Sequence, residues 1–193
     1  MPRAGLDRPA VVALALAVVD DGGPTGYADL TLAAVAARAG VAVPSLYKHV
    51  DGLPGLRRGV ALACAEQVAD TLAAVHVEHE GPDRLPAMAH AMRDLALRLP
   101  GRYQAVQGAG WMRDPDAGPV RAAAERVVAE LVDAVAVLGV PPERRIDAVR
   151  SVRAAVHGFV VLELDGGFGM PDDVDVSFAF LVDGLVAGLR RLS

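Results

Sequence analysis

The densest run of reactive side chains lies between Thr31 and Val50, in the stretch Thr-Leu-Ala-Ala-Val-Ala-Ala-Arg-Ala-Gly-Val-Ala-Val-Pro-Ser-Leu-Tyr-Lys-His-Val. Its polar members are hydroxyls (Thr31, Ser45, Tyr47), two cations (Arg38, Lys48) and an imidazole (His49). No acid stands among them. Such a set suits contact with an anionic backbone better than proton transfer. The spacing predicts two short helices around a turn at Gly40. Ala36 lets the helices approach, Gly40 turns the chain, and Leu46 locks the second helix onto the first. Val35, Val41, Leu46 and Val50 would face inward. Val43, Pro44, Ser45, Tyr47, Lys48 and His49 would then lie on or near the outer surface, where the start of such a helix can reach base edges in a major groove. Tyr47, Lys48, Thr31 and the amides that follow Thr31 suit phosphate contacts. Spacing alone fits a structural helix pair in a bundle equally well. The Tyr-Lys-His run argues against that alternative, because a core helix has no need of those three together after a glycine turn.

Other reactive groups are scattered. There is no Gly-x-Ser-x-Gly elbow, no phosphate loop and no His-Glu-x-x-His pair, so an enzyme is not expected. Gly108-Ala109-Gly110 lacks the strand and the third glycine of a dinucleotide site. His76, Glu78 and His79 sit just before Gly81-Pro82 and read as a solvated helix end. No metal or other cofactor is expected. Tyr103, Gln104, Gln107, Trp111 and Met112 form a cluster of larger, partly polar residues in a chain rich in Ala and Val. With Met88, Met92 and His157, the residues Tyr103, Gln107 and Trp111 are candidates for an effector pocket. Ordinary core packing accounts for Met88 and Met92 equally well.

The elements that must position these groups are helices. Val12, Leu16 and Val19 form a stripe after Pro9, ended by Gly22-Gly23-Pro24. Thr31 caps a helix over Leu32 to Ala39, and a second short helix runs from Val43 to His49. A long helix covers Leu53 to His79. Further helices span Arg84 to Leu99, Arg102 to Met112, Ala117 to Leu138, Glu143 to Leu164 and Asp175 to Leu192. This predicts an all-α protein of about nine helices: a three-helix helix-turn-helix domain over 1–50, and an effector-binding and dimerisation bundle over 51–193.

Composition agrees. Hydrophobic residues are 53%, charged residues 22% and aromatics 4%, which suits a globular core of Ala, Val and Leu. The single cysteine, Cys64, excludes an internal disulfide and reads as a buried thiol. Uninterrupted apolar runs are too short to span a bilayer and no signal peptide precedes them, so a cytoplasmic location without membrane contact is expected. The net charge is −5. Residues 1–58 carry six basic and five acidic residues, so the acidity lies further on.

Ala39-Gly40-Val41 followed by Ser45-Leu46-Tyr47-Lys48-His49-Val50 resembles the signature of the TetR family of transcriptional regulators. The preceding and following helices match that family's layout. His157-Gly158-Phe159, Leu162-Glu163-Leu164, Gly166-Gly167-Phe168-Gly169 and Ser177-Phe178 resemble the ligand domain of a subgroup named for a Trp-His-Gly signature, although no Trp precedes His157. The resemblance implies a homodimeric repressor that binds double-stranded operator DNA and is released by a small-molecule effector, by rotation of the long helix 53–79. It also implies a dimer interface on the last two helices, with Val156, Phe159, Val160, Phe178, Leu181, Val182 and Leu185 as candidates. The chain departs from the family at Ala42, where a Ser or Thr cap is common, and at Leu53-Pro54, where Lys-Glu is common. The recognition helix also lacks Arg, Asn and Gln, the strong base readers. The alternative is a helical protein that binds a small molecule or partner without an operator.

Overall fold

The computed structural model describes residues 6–107 and 109–192. Among them there are eight α-helices and no strand: α1 Arg8–Asp21, α2 Leu32–Ala39, α3 Gly52–Glu78, α4 Arg84–Arg98, α5 Pro100–Gln107, α6 Gly118–Val137, α7 Arg145–Leu164 and α8 Val174–Arg190. Six short 3-10 segments join them, the longest being Val43–Lys48. Counting that segment gives the nine helices expected.

Local chemistry sets the boundaries. Asp7 caps α1 by accepting from the Ala10 amide at 2.8 Å, and Pro9 occupies the first turn. Thr31 caps α2 through Oγ1, which accepts from the Ala34 amide. Asp173 caps α8 by accepting from the amides of Asp175 and Val176. Asp114 opens a 3-10 turn ahead of α6.

The chain forms two compact units. The first runs to Glu66 and takes up Leu99–Ala122; the second comprises Gln67–Arg98 and the chain from Ala123 onward. In the first unit α1 buries Val11, Ala15 and Val19 against Leu30, Val35, Ala36, Leu46, Val50, Leu56, Val60, Cys64 and Ala105. The α1 stripe is thus one residue out of phase with the expected Val12 and Leu16. Val12 is half-buried instead, packed against α3 at Gly59, where a Cβ would stand 2.7 Å from Val12 Cγ2. A smaller cluster gathers Ala61, Leu62, Trp111, Ala117 and Val120.

In the second unit α4 packs on α7 and α8, and α7 on α8. At its centre is Arg93, 6% exposed. Its guanidinium makes a two-pronged pair with Glu163, at 2.7 and 2.5 Å, and a third bond to Asp175 at 2.7 Å. It lies 5.0 Å from the centre of the Phe178 ring. Phe178 meets Phe159 and His90 edge-on, and Phe159 meets Phe168. By length and hydropathy α3 could cross a membrane, a property that core helices of soluble proteins share.

Candidate nucleic-acid interface

The turn between α2 and the 3-10 segment follows from one residue. Gly40 has φ 67° and ψ 31°, left-handed values that an L side chain resists. Its amide donates to the Ala37 carbonyl and the Val41 amide reaches back to Ala36 at 3.0 Å. This pair of bonds closes the end of α2 and reverses the chain. Ala36, 2% exposed, sits under the crossing and Leu46 is fully buried there.

The recognition segment Val43–Lys48 is a 3-10 helix rather than an α-helix. Ala42 has no side-chain oxygen to cap the segment, and its turns close on i→i+3 bonds: Ser45 N to Ala42 O and His49 N to Leu46 O, both 2.9 Å. Six residues is long for this geometry. The tighter pitch changes which side chains point out. Pro44, Tyr47 and Lys48 are exposed, with Tyr47 at 59%, while Val43, Ser45 and His49 are half-buried. Val43 packs against the core of the first unit, so it presents less surface than expected. Val41, expected inside, is exposed, because Val43 fills the inward place after the Gly40 reversal. Thr31 is exposed at the start of α2.

The electrostatics of this unit are mostly internal. Arg38 pairs with Asp21. Arg102 grips Asp20 with two bonds, at 2.7 and 2.6 Å. Arg58 pairs with Asp114 at 3.2 Å and Asp116 at 3.7 Å. Arg57 donates to the Ala28 carbonyl and lies over the Tyr27 ring. Burial pushes the Tyr27 hydroxyl well above its usual range, against the opposing charge of Arg57. Among the described residues of this unit, Arg8, Lys48, Arg57, Arg113 and Arg121 make no ion pair with a carboxylate; Arg57 and Arg121 donate to backbone carbonyls instead, while Arg8, Lys48 and Arg113 are exposed. Arg8 was not singled out from sequence; its place in the first turn of α1, beside no carboxylate but the capping Asp7, is the signal that could have found it.

The six effector candidates divide between the two units. Tyr103, Gln107 and Trp111 belong to the first; Met88, Met92 and His157 belong to the second. Met88 is fully buried and Tyr103 is 3% exposed. Trp111 donates from Nε1 to the Ala105 carbonyl at 3.1 Å and packs on Ala61 and Val120. Met92, Gln107 and His157 are half-buried. Gly108 and the Met112 side chain lie outside the described residues. A cavity of about 380 Å³ in the second unit is lined instead by the loop from Gly167 to Asp172, with Val174 and Ser177. His76 Nδ1 meets the Glu130 carboxylate at 2.6 Å rather than a histidine partner.

Of the dimer candidates, Val156, Val160, Phe178 and Val182 are buried in the protomer's own core. Phe159, Leu181 and Leu185 are half-buried. The large apolar side chains left in solvent on α7 and α8 are Ile146, Leu162, Val176 and Phe180, the last 81% exposed.

Comparison with known proteins supports the same class. The family described as "Tetracyclin repressor-like, C-terminal domain" matches residues 85–185. The HTH-type transcriptional regulator Rv0681 of Mycobacterium tuberculosis is 36% identical over 97% of this chain and 84% of its own length. The HTH-type transcriptional regulator YobS of Bacillus subtilis is 28% identical over 97% of this chain and 95% of its own. A solved TetR variant from Acinetobacter baumannii, in complex with minocycline, has the same fold: TM-score 0.70 at 24% identity, covering 97% of this chain and 98% of that one.

Proposed function

The chain belongs to the TetR family of helix-turn-helix transcriptional regulators, and on that premise we propose that it is a homodimeric repressor whose residues 1–50 hold a roughly palindromic operator and whose residues 51–193 dimerise and take a small-molecule effector. The observation that carries the DNA contact is the glycine-reversed helix pair, which buries Leu46 and leaves Tyr47 and Lys48 in solvent. Thr31, Tyr47, Lys48 and the free amides at the start of α2 hold phosphates; Pro44, Ser45, His49 and the edge of Val43 meet bases. With few cations and no strong base reader, apolar contact with thymine methyls and sequence-dependent DNA shape carry much of the recognition.

For dimerisation the surface supports a face made of Leu162 on α7 and Val176 and Phe180 on α8. Gly158 and Gly184, each with open space where a Cβ would stand, allow helices of a second copy to come close. Phe180→Asp should leave the protomer folded and shift the protein to monomer in sedimentation velocity. An effector that prefers one arrangement of the protein would shift its population and so change operator affinity. The helix α3 is unbroken over Gly52–Glu78 and contributes residues to both units, which favours it as the carrier.

The test is fluorescence anisotropy with duplex DNA from immediately upstream of the gene, at two salt concentrations. Binding should be saturable and salt-sensitive. Lys48→Ala should lower the salt slope by about 0.9 per protomer, about two for the dimer, and with Tyr47→Ala should abolish specific binding. Binding no tighter than to random duplex, both there and in a genome-wide selection, would favour a helical ligand-binding protein without an operator.

A further inference from the structure

Two adjacent carboxylates, Asp20 and Asp21, close α1. A helix C-terminus carries partial negative charge and disfavours acids. No basic residue stands in that last turn to offset them. Arg102 has the converse problem, lying in the first turn of α5, where the helix end is partially positive. Helix stability explains none of the three placements. What explains them is pairing. Asp20 takes both prongs of Arg102 from α5, and Asp21 takes Arg38 from the last turn of α2. The Asp20 and Arg102 side chains are 28% and 23% exposed, so their bond is only partly screened. Hydrogen bonding to Asp20 raises the Arg102 guanidinium further above its ordinary range.

The backbone is fitted to the same contact. A Cβ on Gly101 would stand 2.7 Å from the Gly23 carbonyl oxygen and 2.9 Å from that of Val19, so α5 lies flush on the end of α1. Two residues beyond Arg38 the chain reaches Gly40 and then the recognition segment. The half-buried Asp20–Arg102 pair therefore links α5 to α1, and the more exposed, weaker Asp21–Arg38 pair continues the series to α2, ending at the turn that aims Ser45, Tyr47 and Lys48.

We propose that Asp20 and Asp21 are positioning residues for DNA binding: they touch no DNA, and by holding Arg102 on one side and Arg38 on the other they fix the recognition segment to α5. Because each charge sits at the helix end that disfavours it, opening the Arg102 bond also loosens the last turn of α1. Docking of α5 and order at α2 are thus coupled. This rests on the operator-binding reading above.

The experiment begins with the intact protein and a random duplex pool. If the wild type enriches no sequence, the operator reading fails and the pair is moot as a DNA determinant. If it enriches one, affinity for that duplex is measured for Asp20→Asn, Arg102→Gln and the double exchange Asp20→Arg with Arg102→Asp, with circular dichroism confirming helix content at the assay temperature. Direct electrostatics predicts opposite effects, since losing an acid tightens DNA binding and losing a base weakens it. Positioning predicts that both single variants weaken binding, by roughly tenfold, as for groups in direct contact. Their salt slope should stay at the wild-type value, unlike that of Lys48→Ala. The double exchange, which places each charge at the helix end that favours it, should restore affinity to within about threefold. Opposite effects in the two single variants, wild-type affinity in both, a reduced salt slope, or a folded double exchange that binds no better than the singles would each overturn the proposal.

Discussion

Replacing Arg93 with alanine probes the strongest interaction in the second unit. The guanidinium side chain is 7% exposed and satisfies a Glu163 carboxylate that is itself only 16% exposed. Removing it strands that carboxylate. Loss of one partner from a buried pair costs about 3–5 kcal/mol, and partial access of water to Glu163 argues for the lower end. Asp175 adds little, because its side chain is 81% exposed and the bond is screened. The lost contact with the Phe178 ring adds about 0.5–1 kcal/mol. The sum is about 3–4 kcal/mol. For a chain of this length about 2–4 °C is lost per kcal/mol, so the melting midpoint should fall by about 10 °C. Thermal and urea unfolding should be followed by circular dichroism at one fixed protein concentration, since a dimer's midpoint depends on it. A paired control removes both charges. Arg93→Met with Glu163→Leu leaves no stranded carboxylate and should return most of the loss, because apolar replacement of a buried pair is often neutral. A cost below about 1 kcal/mol for Arg93→Ala, or a double variant less stable than the single, would show that water already solvates this cluster and that the desolvation argument is wrong.

Three further outcomes follow from burial and close packing. Burial first, and the neighbouring Arg153 charge second, hold the His157 imidazole below its ordinary value, so the unfolded chain binds the proton more readily. Stability should therefore rise with pH up to about 6.5 and fall as pH drops below it; His157→Gln should flatten that slope in denaturation curves taken at several pH values, and an unchanged slope would remove His157 as its source. Burial pushes the Cys64 thiol up to about 12, opposed by the Arg102 charge, and the residue is 1% exposed. Ellman's reagent at pH 8 should find no thiol in the native protein and one in denaturant; a native rate near that of free cysteine would contradict the packing. Gly59→Ala sets a gain of about 1 kcal/mol in helix propensity against overpacking of about 1–3 kcal/mol on the stiff Val12 side chain, and should be neutral to destabilising by about 2 kcal/mol in urea titrations. A stabilised variant would mean that α1 yields easily.

Much of the first unit could be read from local signals because local chemistry decides it. Thr31 carries its own capping oxygen, Gly40 its own left-handed turn and Pro9 its own preset φ, and each acts within a few residues of itself. The missing cap at Ala42 was equally visible. Its consequence was not: the recognition segment winds as a 3-10 helix and turns Val43 inward. The destination of the arginines was also hidden. Residues 20 and 102 are far apart in sequence, and no periodicity announces that α5 returns to α1. A near-neutral count of charges over the first 58 residues therefore concealed how few of its cations are left for DNA.

The face of α8 is a different kind of problem. The segment from Val174 to Arg190 is apolar on more than one side, so its hydrophobic spacing is satisfied by two phases. The phase is chosen by partners elsewhere. Phe178 turns inward because His90 on α4, Phe159 on α7 and the Arg93 guanidinium form a seat for its ring. Val182, Val186 and Leu189 then follow it into the core at helical spacing. The same choice expels Val176 and Phe180 into solvent. Large apolar groups kept on an exposed face next to glycines have a cost in solubility that nothing inside the protomer repays. The proposed contact with a second copy therefore falls on the residues that the internal aromatic cluster leaves outside, Val176 and Phe180, rather than on those it uses.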